Sequence, residues 1–240
     1  MRHELFEEMA REKEFSFQVA RSHVSHITRR NAEGLLACRV SSTEAEEEVL
    51  KVWPQIERFV KEYTLFQSSG QEFNSNTLPF LESVGSCQPV RFVANSVEAV
   101  EEPVICPPLG LKGSVDMIAR ATTVDAGSSV RTSSILSVEL KTGHFQRTQN
   151  AHTAQLALYT LMLQARHGVK RTGHDSTAAA SQDGLLLYLN NESIRALHIA
   201  PTLAEVKSLI GQRNLVAVES TRVSRPRGVE LCYENDEEPR

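Results

Sequence analysis

The sequence predicts an α/β fold, with a mixed central sheet flanked by helices. Two observations carry this. Strand-length stretches rich in Val, Ile and Leu, interrupted by one strongly apolar helix, run between residues 90 and 199 in the order strand, strand, strand, helix, strand, strand, and a last helix follows. Up to Tyr63, by contrast, apolar residues recur at helical spacing. The chain has 240 residues, is 40% apolar and 23% charged, and carries a net charge of −4. That length suits about one large domain with its own core. The sequence contains no apolar run long enough for a transmembrane helix, so no membrane partner is expected. It opens on Arg2, His3 and Glu4 rather than on an apolar leader.

Taken in order, Leu5, Phe6, Met9 and Ala10 define an amphipathic helix, with Glu7, Glu8, Arg11 and Glu12 between them. Ser42-Thr43 followed by Glu46 resembles a capping box. The helix behind it presents Val49, Leu50, Trp53, Ile56, Phe59, Val60 and Tyr63, and Pro54 should kink or divide it. Residues 67–88 are rich in Ser, Asn, Gly and Gln and read as a surface loop of variable length. Short strands are expected at Val90–Val93 and Val97–Cys106, the second stopped by Pro107-Pro108. Lys112–Ala121 and Ser134–Lys141 are strands joined by a turn at Asp125–Ser129. Gln149–Ala165 reads as a helix packing Leu156, Tyr159 and Leu163 inward. Residues 169–183 form a polar loop. Gly184–Leu189 is a continuous apolar run typical of a central buried strand, paired with Ile194–Ile199. A last helix covers Leu203–Val218. The domain reading is a helical N-terminal part (1–96, with the variable loop at about 67–88), a core (97–218) and a charged tail (219–240).

The chemistry gathers between Gly110 and Tyr159. Asp116 lies in a strand that continues apolar as Met117-Ile118-Ala119. Glu139 and Lys141 end the next strand, and residues two apart share a face, so both point one way with Leu140 buried on the other. A carboxylate and an ammonium beside a second carboxylate make a compact hard-oxygen site for Mg²⁺, which can polarise a phosphate and lower the pKa of water. Taken alone, Asp116 is equally a solvent-facing strand-end acid, and Glu139 with Lys141 an exposed surface pair of little energetic weight. Gln155 and Tyr159, four apart, share a helix face that packs on the sheet or supports the site.

Asp, then Glu-x-Lys, then Gln-x-x-x-Tyr resembles the PD-(D/E)XK nuclease pattern of the RecB-like type. The strings GLKGSVD, VELKTGH and HTAQLALYTLML look like the nuclease domain of the eukaryotic DNA replication ATP-dependent helicase/nuclease family. His3-Glu4-Leu5-Phe6 is similar to the His-Glu pair that precedes the core in that family, and Glu101-Glu102 matches its spacing. The likeness runs from His3 to about Leu215 and is weak between Arg11 and Val97.

The resemblance implies a restriction-endonuclease-like fold and a metal-dependent nuclease acting on single-stranded DNA and 5′ flaps in replication, Okazaki fragment processing and double-strand-break repair. It implies Asp116, Glu139 and Lys141 as catalytic residues, and His3, Asp116 and Glu139 as ligands of Mg²⁺ or Mn²⁺. Lys141 would orient or activate the attacking water. Gln155 and Tyr159 would steady the site and touch the DNA backbone, and a histidine also occurs at the place of His152 in the family. On the residues themselves, Lys112 could reach a phosphate or be a solvated strand residue, and the backbone N–H groups of Thr142-Gly143-His144 could contact one. It also implies a parent with a helicase domain in the same chain, a single-stranded-DNA-binding protein as partner, and a nuclear location with the mitochondrion as a second one.

Family members carry a [4Fe–4S] cluster, whose cysteines lie upstream of the His motif and downstream of the core. Cys38, Cys87, Cys106 and Cys232 are dispersed, match neither group and read as reduced thiols. No phosphate-loop motif is present, so the chain is expected to be part of a longer protein. A net charge of −4 does not announce a nucleic-acid binder, although a local basic groove suffices. Arg222, Arg225 and Arg227 read as a solvated tail. The alternatives are a stand-alone RecB-like exonuclease and an inactive nuclease-like module that binds DNA or a partner. Intact Asp116, Glu139 and Lys141 speak against the second.

Overall fold

The computed structural model describes residues 1–12, 15–64, 80–84, 90–125, 131–142, 150–168, 180–189 and 194–224. Residues Met1–Pro201 form one compact unit and Thr202–Arg240 a second. Among the described residues, the first holds six α-helices, α1 (Arg2–Arg11), α2 (Phe17–Arg30), α3 (Ala32–Ala37), α4 (Ser42–Leu50), α5 (Trp53–Tyr63) and α6 (Asn150–His167). Its strands are β1 (Phe80–Val84), β2 (Val90–Cys106), β3 (Leu111–Asp125), β4 (Arg131–Thr142), β5 (Ala180–Leu189) and β6 (Ile194–Ile199).

The strands form one mixed sheet flanked by helices, as expected. β2, β3 and β4 are antiparallel neighbours, and β6 runs antiparallel to β5. β4 and β5 are parallel, so the crossover between them carries a helix, α6. β1 bonds antiparallel to β2 and parallel to β6, which closes the sheet on itself.

One core joins α1, α2, α4 and α5 to the sheet through Leu5, Phe6, Met9, Val24, Ile27, Trp53, Ile56 and Phe59 against Phe92, Met117, Val138, Leu140 and Leu187. The opposite side is sealed by α6: Met162 and Leu163 pack with Val104, Val115, Ile118 and Ile135, and Leu156 packs with Leu186, Tyr188 and Leu197. Leu140 belongs to the first core, so Glu139 and Lys141 are left to the α6 side, as alternation requires. A buried bond of 3.0 Å between Ser137 Oγ and Thr160 Oγ1 ties α6 to β4.

Several elements differ from the sequence expectation. Residues 17–37, to which periodicity assigned nothing, hold α2 and α3. The Ser16 hydroxyl caps α2 by accepting from the Val19 N–H at 3.3 Å, and Ala20, Val24 and Ile27 line its buried face. The capping box of α4 is Ser41 with Glu44, not Ser42 with Glu46. Glu46 instead accepts from the hydroxyls of Ser25 and Thr28 on α2. Pro54 does divide the helix: α4 stops at Leu50, and Pro54 lies in the first turn of α5, where its missing N–H leaves no bond unmade. The expected loop at 67–88 contains β1, and its other residues lie outside those described. The two short strands at 90–106 are one strand with register shifts between Ala94 and Ser96 and between Val97 and Ala99. β5 begins at Ala180, inside the expected polar loop, where its backbone pairs with Ile135 of β4.

In the second unit, α7 spans Leu203–Ser224 and so runs past Val218 into the expected tail. Thr202 and Glu205 cap it reciprocally: Glu205 Oε2 accepts the Thr202 N–H at 2.7 Å, and Thr202 Oγ1 accepts the Glu205 N–H at 3.2 Å.

Gly184 offers a test of this packing. A Cβ there would lie 2.9 Å from two atoms of the Leu156 side chain, which is fully buried. Gly184→Ala should destabilise the protein by about 1–3 kcal/mol in denaturant unfolding. Gly34→Ala in α3, with nothing within 4 Å, should leave stability unchanged or raise it by up to about 1 kcal/mol. Equal midpoints for the two variants would contradict the α6–β5 contact.

Candidate active site

The site begins where β3 and β4 part. Their pairing runs from Val124↔Arg131 to Met117↔Val138 and stops. Just beyond, the Leu140 N–H donates to Asp116 Oδ2 at 2.7 Å. A carboxylate thus replaces a main-chain carbonyl as acceptor, so the strands splay without leaving a buried donor unpaired. Leu140 stays registered with Leu187 on the other side. On β2, opposite Asp116, Glu101 has a φ of 51°, a left-handed conformation that is costly for a residue with a side chain. Its carboxylate accepts from Ser114 Oγ at 3.0 Å.

Helix α1 brings the imidazole. Leu5, Phe6 and Met9 are buried and fix the helix, which carries His3 and Glu7 one turn apart. His3 Nε2 lies 3.1 Å from Asp116 Oδ2, and His3 Nδ1 lies 2.8 Å from Glu7 Oε1. His3, Glu7, Glu101 and Asp116 each offer a ligand atom, all within 4.8 Å of one another. Glu139 approaches from β4. It is 1% exposed; its Oε1 accepts from Lys141 Nζ at 2.5 Å, and its Oε2 has no hydrogen-bond partner among the described residues.

Burial pushes the Glu139 carboxyl up to about 7; the Lys141 ammonium opposes this and the Asp116 charge adds to it. Burial alone would lower His3, but its bond to Asp116 and its pairing with Glu7 more than offset that and raise it to about 10. Burial also raises Glu7, against the pull of His3. These shifts favour the protonated forms of His3 and Glu139 when no metal is bound. Several carboxylates and one imidazole form a hard donor set suited to Mg²⁺ or Mn²⁺. The unpartnered Glu139 Oε2 is a buried acceptor of the kind a cation satisfies.

Lys141 is held from two sides, donating also to Gln155 Oε1 at 3.1 Å, and Gln155 Nε2 donates to Tyr159 Oη at 3.3 Å. Tyr159 presses on β3 at Gly113, where a Cβ would lie 2.7 Å from its ring. Lys112 is exposed at the rim of an open groove of about 390 Å³, lined also by Leu111, Ala154, Gln155 and Tyr159. His152 turns to β5 and is bonded through Nδ1 to Tyr188 Oη at 2.9 Å; burial, with Lys141 nearby, lowers its pKa.

The structure thus brings together His3, Asp116, Glu139, Lys141, Gln155 and Tyr159. Glu4 faces away, bonded to Arg30 Nη2 at 2.6 Å. Thr142 ends β4, while Gly143 and His144 lie outside the described residues. Cys38 is exposed and Cys106 buried; Cys87 and Cys232 also lie outside. Glu7, expected among the outward polar residues of α1, is instead 6% exposed and part of the site. Its spacing, four residues after His3, puts it on the same helix face but does not by itself single it out from the other acids of α1.

The family model described as DNA replication factor Dna2 matches residues 1–121, half of the chain. The chain belongs to the Dna2 family. It is 31% identical over 127 residues to the DNA replication ATP-dependent helicase/nuclease dna2 of Schizosaccharomyces pombe, covering 53% of this chain and 8% of that protein. It is 23% identical over 219 residues to the DNA replication ATP-dependent helicase/nuclease JHS1 of Arabidopsis thaliana, covering 90% of this chain and 15% of that one. The match thus spans a small part of these Dna2-family proteins. The matched segment 1–121 contains His3, Glu7, Glu101 and Asp116, and Glu139 and Lys141 follow it.

The proton load sets a pH dependence. His3 rises from 6.5 to about 10 on folding, so its contribution to stability is complete below pH 6.5 and lost as pH climbs to about 10. Glu139 rises from 4.5 to about 7, so its contribution is complete below pH 4.5 and lost by about pH 7. Both act in the same direction. In a chelator, the unfolding midpoint should fall from pH 5 to pH 10. Glu139→Gln should flatten the acidic half of the fall and His3→Gln the alkaline half. A midpoint rising across this window in the wild type, and unchanged in both variants, would contradict the assignment.

Proposed function

We propose that this chain is the nuclease part of a longer helicase/nuclease and hydrolyses phosphodiester bonds of single-stranded DNA and 5′ flaps with Mg²⁺. The observation that supports this best is the contact of His3 with Asp116 beside the buried Glu139–Lys141 pair, whose carboxyl responds to the charges of both. His3, Asp116 and Glu139 would hold the cation. When bound, the cation supplies Lewis acidity at the phosphoryl oxygen and lowers the pKa of a water. Asp116 fixes the imidazole and the Leu140 backbone together, so the donor atoms keep their spacing. Lys141 holds a compact positive charge where the phosphoryl group would lie, paired with Glu139 and bonded to Gln155 Oε1 at 3.1 Å. Tyr159 and Lys112 flank the groove along which the strand would run, as backbone contacts. We propose with it the cellular setting that the family resemblance implies: replication and break repair in the nucleus and mitochondrion, with a helicase in the same chain and a single-stranded-DNA-binding partner.

Glu139→Ala tests this reading. It should lower Mg²⁺-dependent cleavage of a 5′-flapped or single-stranded oligonucleotide by at least about a hundredfold, since a metal ligand is worth several kcal/mol in the transition state. Binding of the same oligonucleotide in chelator should change little. A variant that keeps most of its cleavage rate would remove Glu139 from the machinery. A wild type that binds the strand but never cuts it with Mg²⁺ or Mn²⁺ would favour the inactive module.

A further inference from the structure

We infer that Glu7 is a positioning residue: its buried carboxylate holds the Nδ1 side of His3 so that Nε2 faces Asp116 and the metal position. The inference rests on the metal reading proposed above. The two ring nitrogens have separate partners, Glu7 Oε1 at 2.8 Å from Nδ1 and Asp116 Oδ2 at 3.1 Å from Nε2. A histidine that ligates through Nε2 must be neutral there and carry its remaining proton on Nδ1. A carboxylate beside Nδ1 selects that tautomer and fixes the plane of the ring, and outer partners of this kind commonly support ligating histidines.

Glu7 is placed for the task. It is one turn after His3, so the two side chains leave α1 on one face. Leu5 and Met9, 0% and 1% exposed, prevent the helix from rotating. A carboxylate in this setting serves no packing purpose, because an apolar side chain of similar volume would fill the space without a desolvation cost. Among the described residues the His3 ring is its ion-pair partner, with Nδ1 2.8 Å from Oε1, and the Glu101 carboxylate lies against it. Arg30 on α2 pairs with Glu4 and Glu8.

The test is calorimetric titration of Mn²⁺ into the metal-free 240-residue chain, a readout independent of cleavage. Glu7→Gln retains an acceptor for Nδ1–H and should bind within about threefold of wild type. Glu7→Leu should bind about 10–100-fold more weakly while its unfolding midpoint in chelator does not fall. In a His3→Ala background, Glu7→Leu should cause no further loss, because it acts through the imidazole. Wild-type affinity in Glu7→Leu would overturn the inference. So would equal losses in Glu7→Gln and Glu7→Leu, which would make Glu7 a direct ligand, or an undiminished effect without His3. Should Glu7→Leu fail to fold, the ¹⁵N spectrum of His3 in the Mg²⁺-loaded wild type decides: a proton on Nδ1 supports the role and a proton on Nε2 overturns it. A wild type that binds no Mn²⁺ at all overturns the metal reading and this inference together.

Discussion

One hydrogen bond decides the architecture of the site, that from the Leu140 N–H to Asp116 Oδ2. Two antiparallel strands cannot separate in a buried region unless their freed backbone groups find other partners. Here a side chain takes over, and the opening it creates admits the His3 ring from α1. The same carboxylate then has two jobs. It closes the end of a ladder with one lone pair and meets an imidazole 3.1 Å away. Structural and chemical demands therefore coincide on one residue, and neither can be altered alone.

The charge balance follows from that geometry. Asp116, Glu139, Glu7 and Glu101 surround one imidazole and one ammonium. Such crowding of anions is unfavourable unless protons or a cation share the space. The protein meets this on the α6 side as well. Ser137 and Thr160 lock the helix to β4, and Tyr159 fits against β3 only because residue 113 lacks a Cβ. Gln155 then stands 3.1 Å from the Lys141 ammonium, which pairs with Glu139 as well.

Much of this was legible in the sequence because it rests on short-range rules. Period-two alternation placed Glu139 and Lys141 on one face, and helical spacing paired Gln155 with Tyr159. What was not legible arises from distance along the chain. Glu7 looks like any polar residue of an amphipathic helix until Asp116 and Glu101 are brought against it. β1 lies in a segment whose composition suggests only a loop, since its strand character comes from pairing with β2 and β6. α2 hid behind polar residues such as Ser22, Ser25 and His26, although its buried stripe of Ala20, Val24 and Ile27 has regular spacing. Glu46 was assigned to a cap because it follows a Ser-Thr pair, whereas tertiary contact with Ser25 and Thr28 claims it.

The placement of His3 and Glu7 on the first helix has a consequence for the ribosome. α1 is made before the surface that receives it, which consists of β2, β3 and β4 and is completed only at Thr142. At ~5–20 residues per second, the helix waits on the order of ten seconds for its dock. Through that interval the ring and the carboxylates that surround it in the folded chain are kept apart by unfinished polypeptide. The donor set closes only around a completed sheet, so the order of synthesis keeps a partly made chain from assembling this constellation.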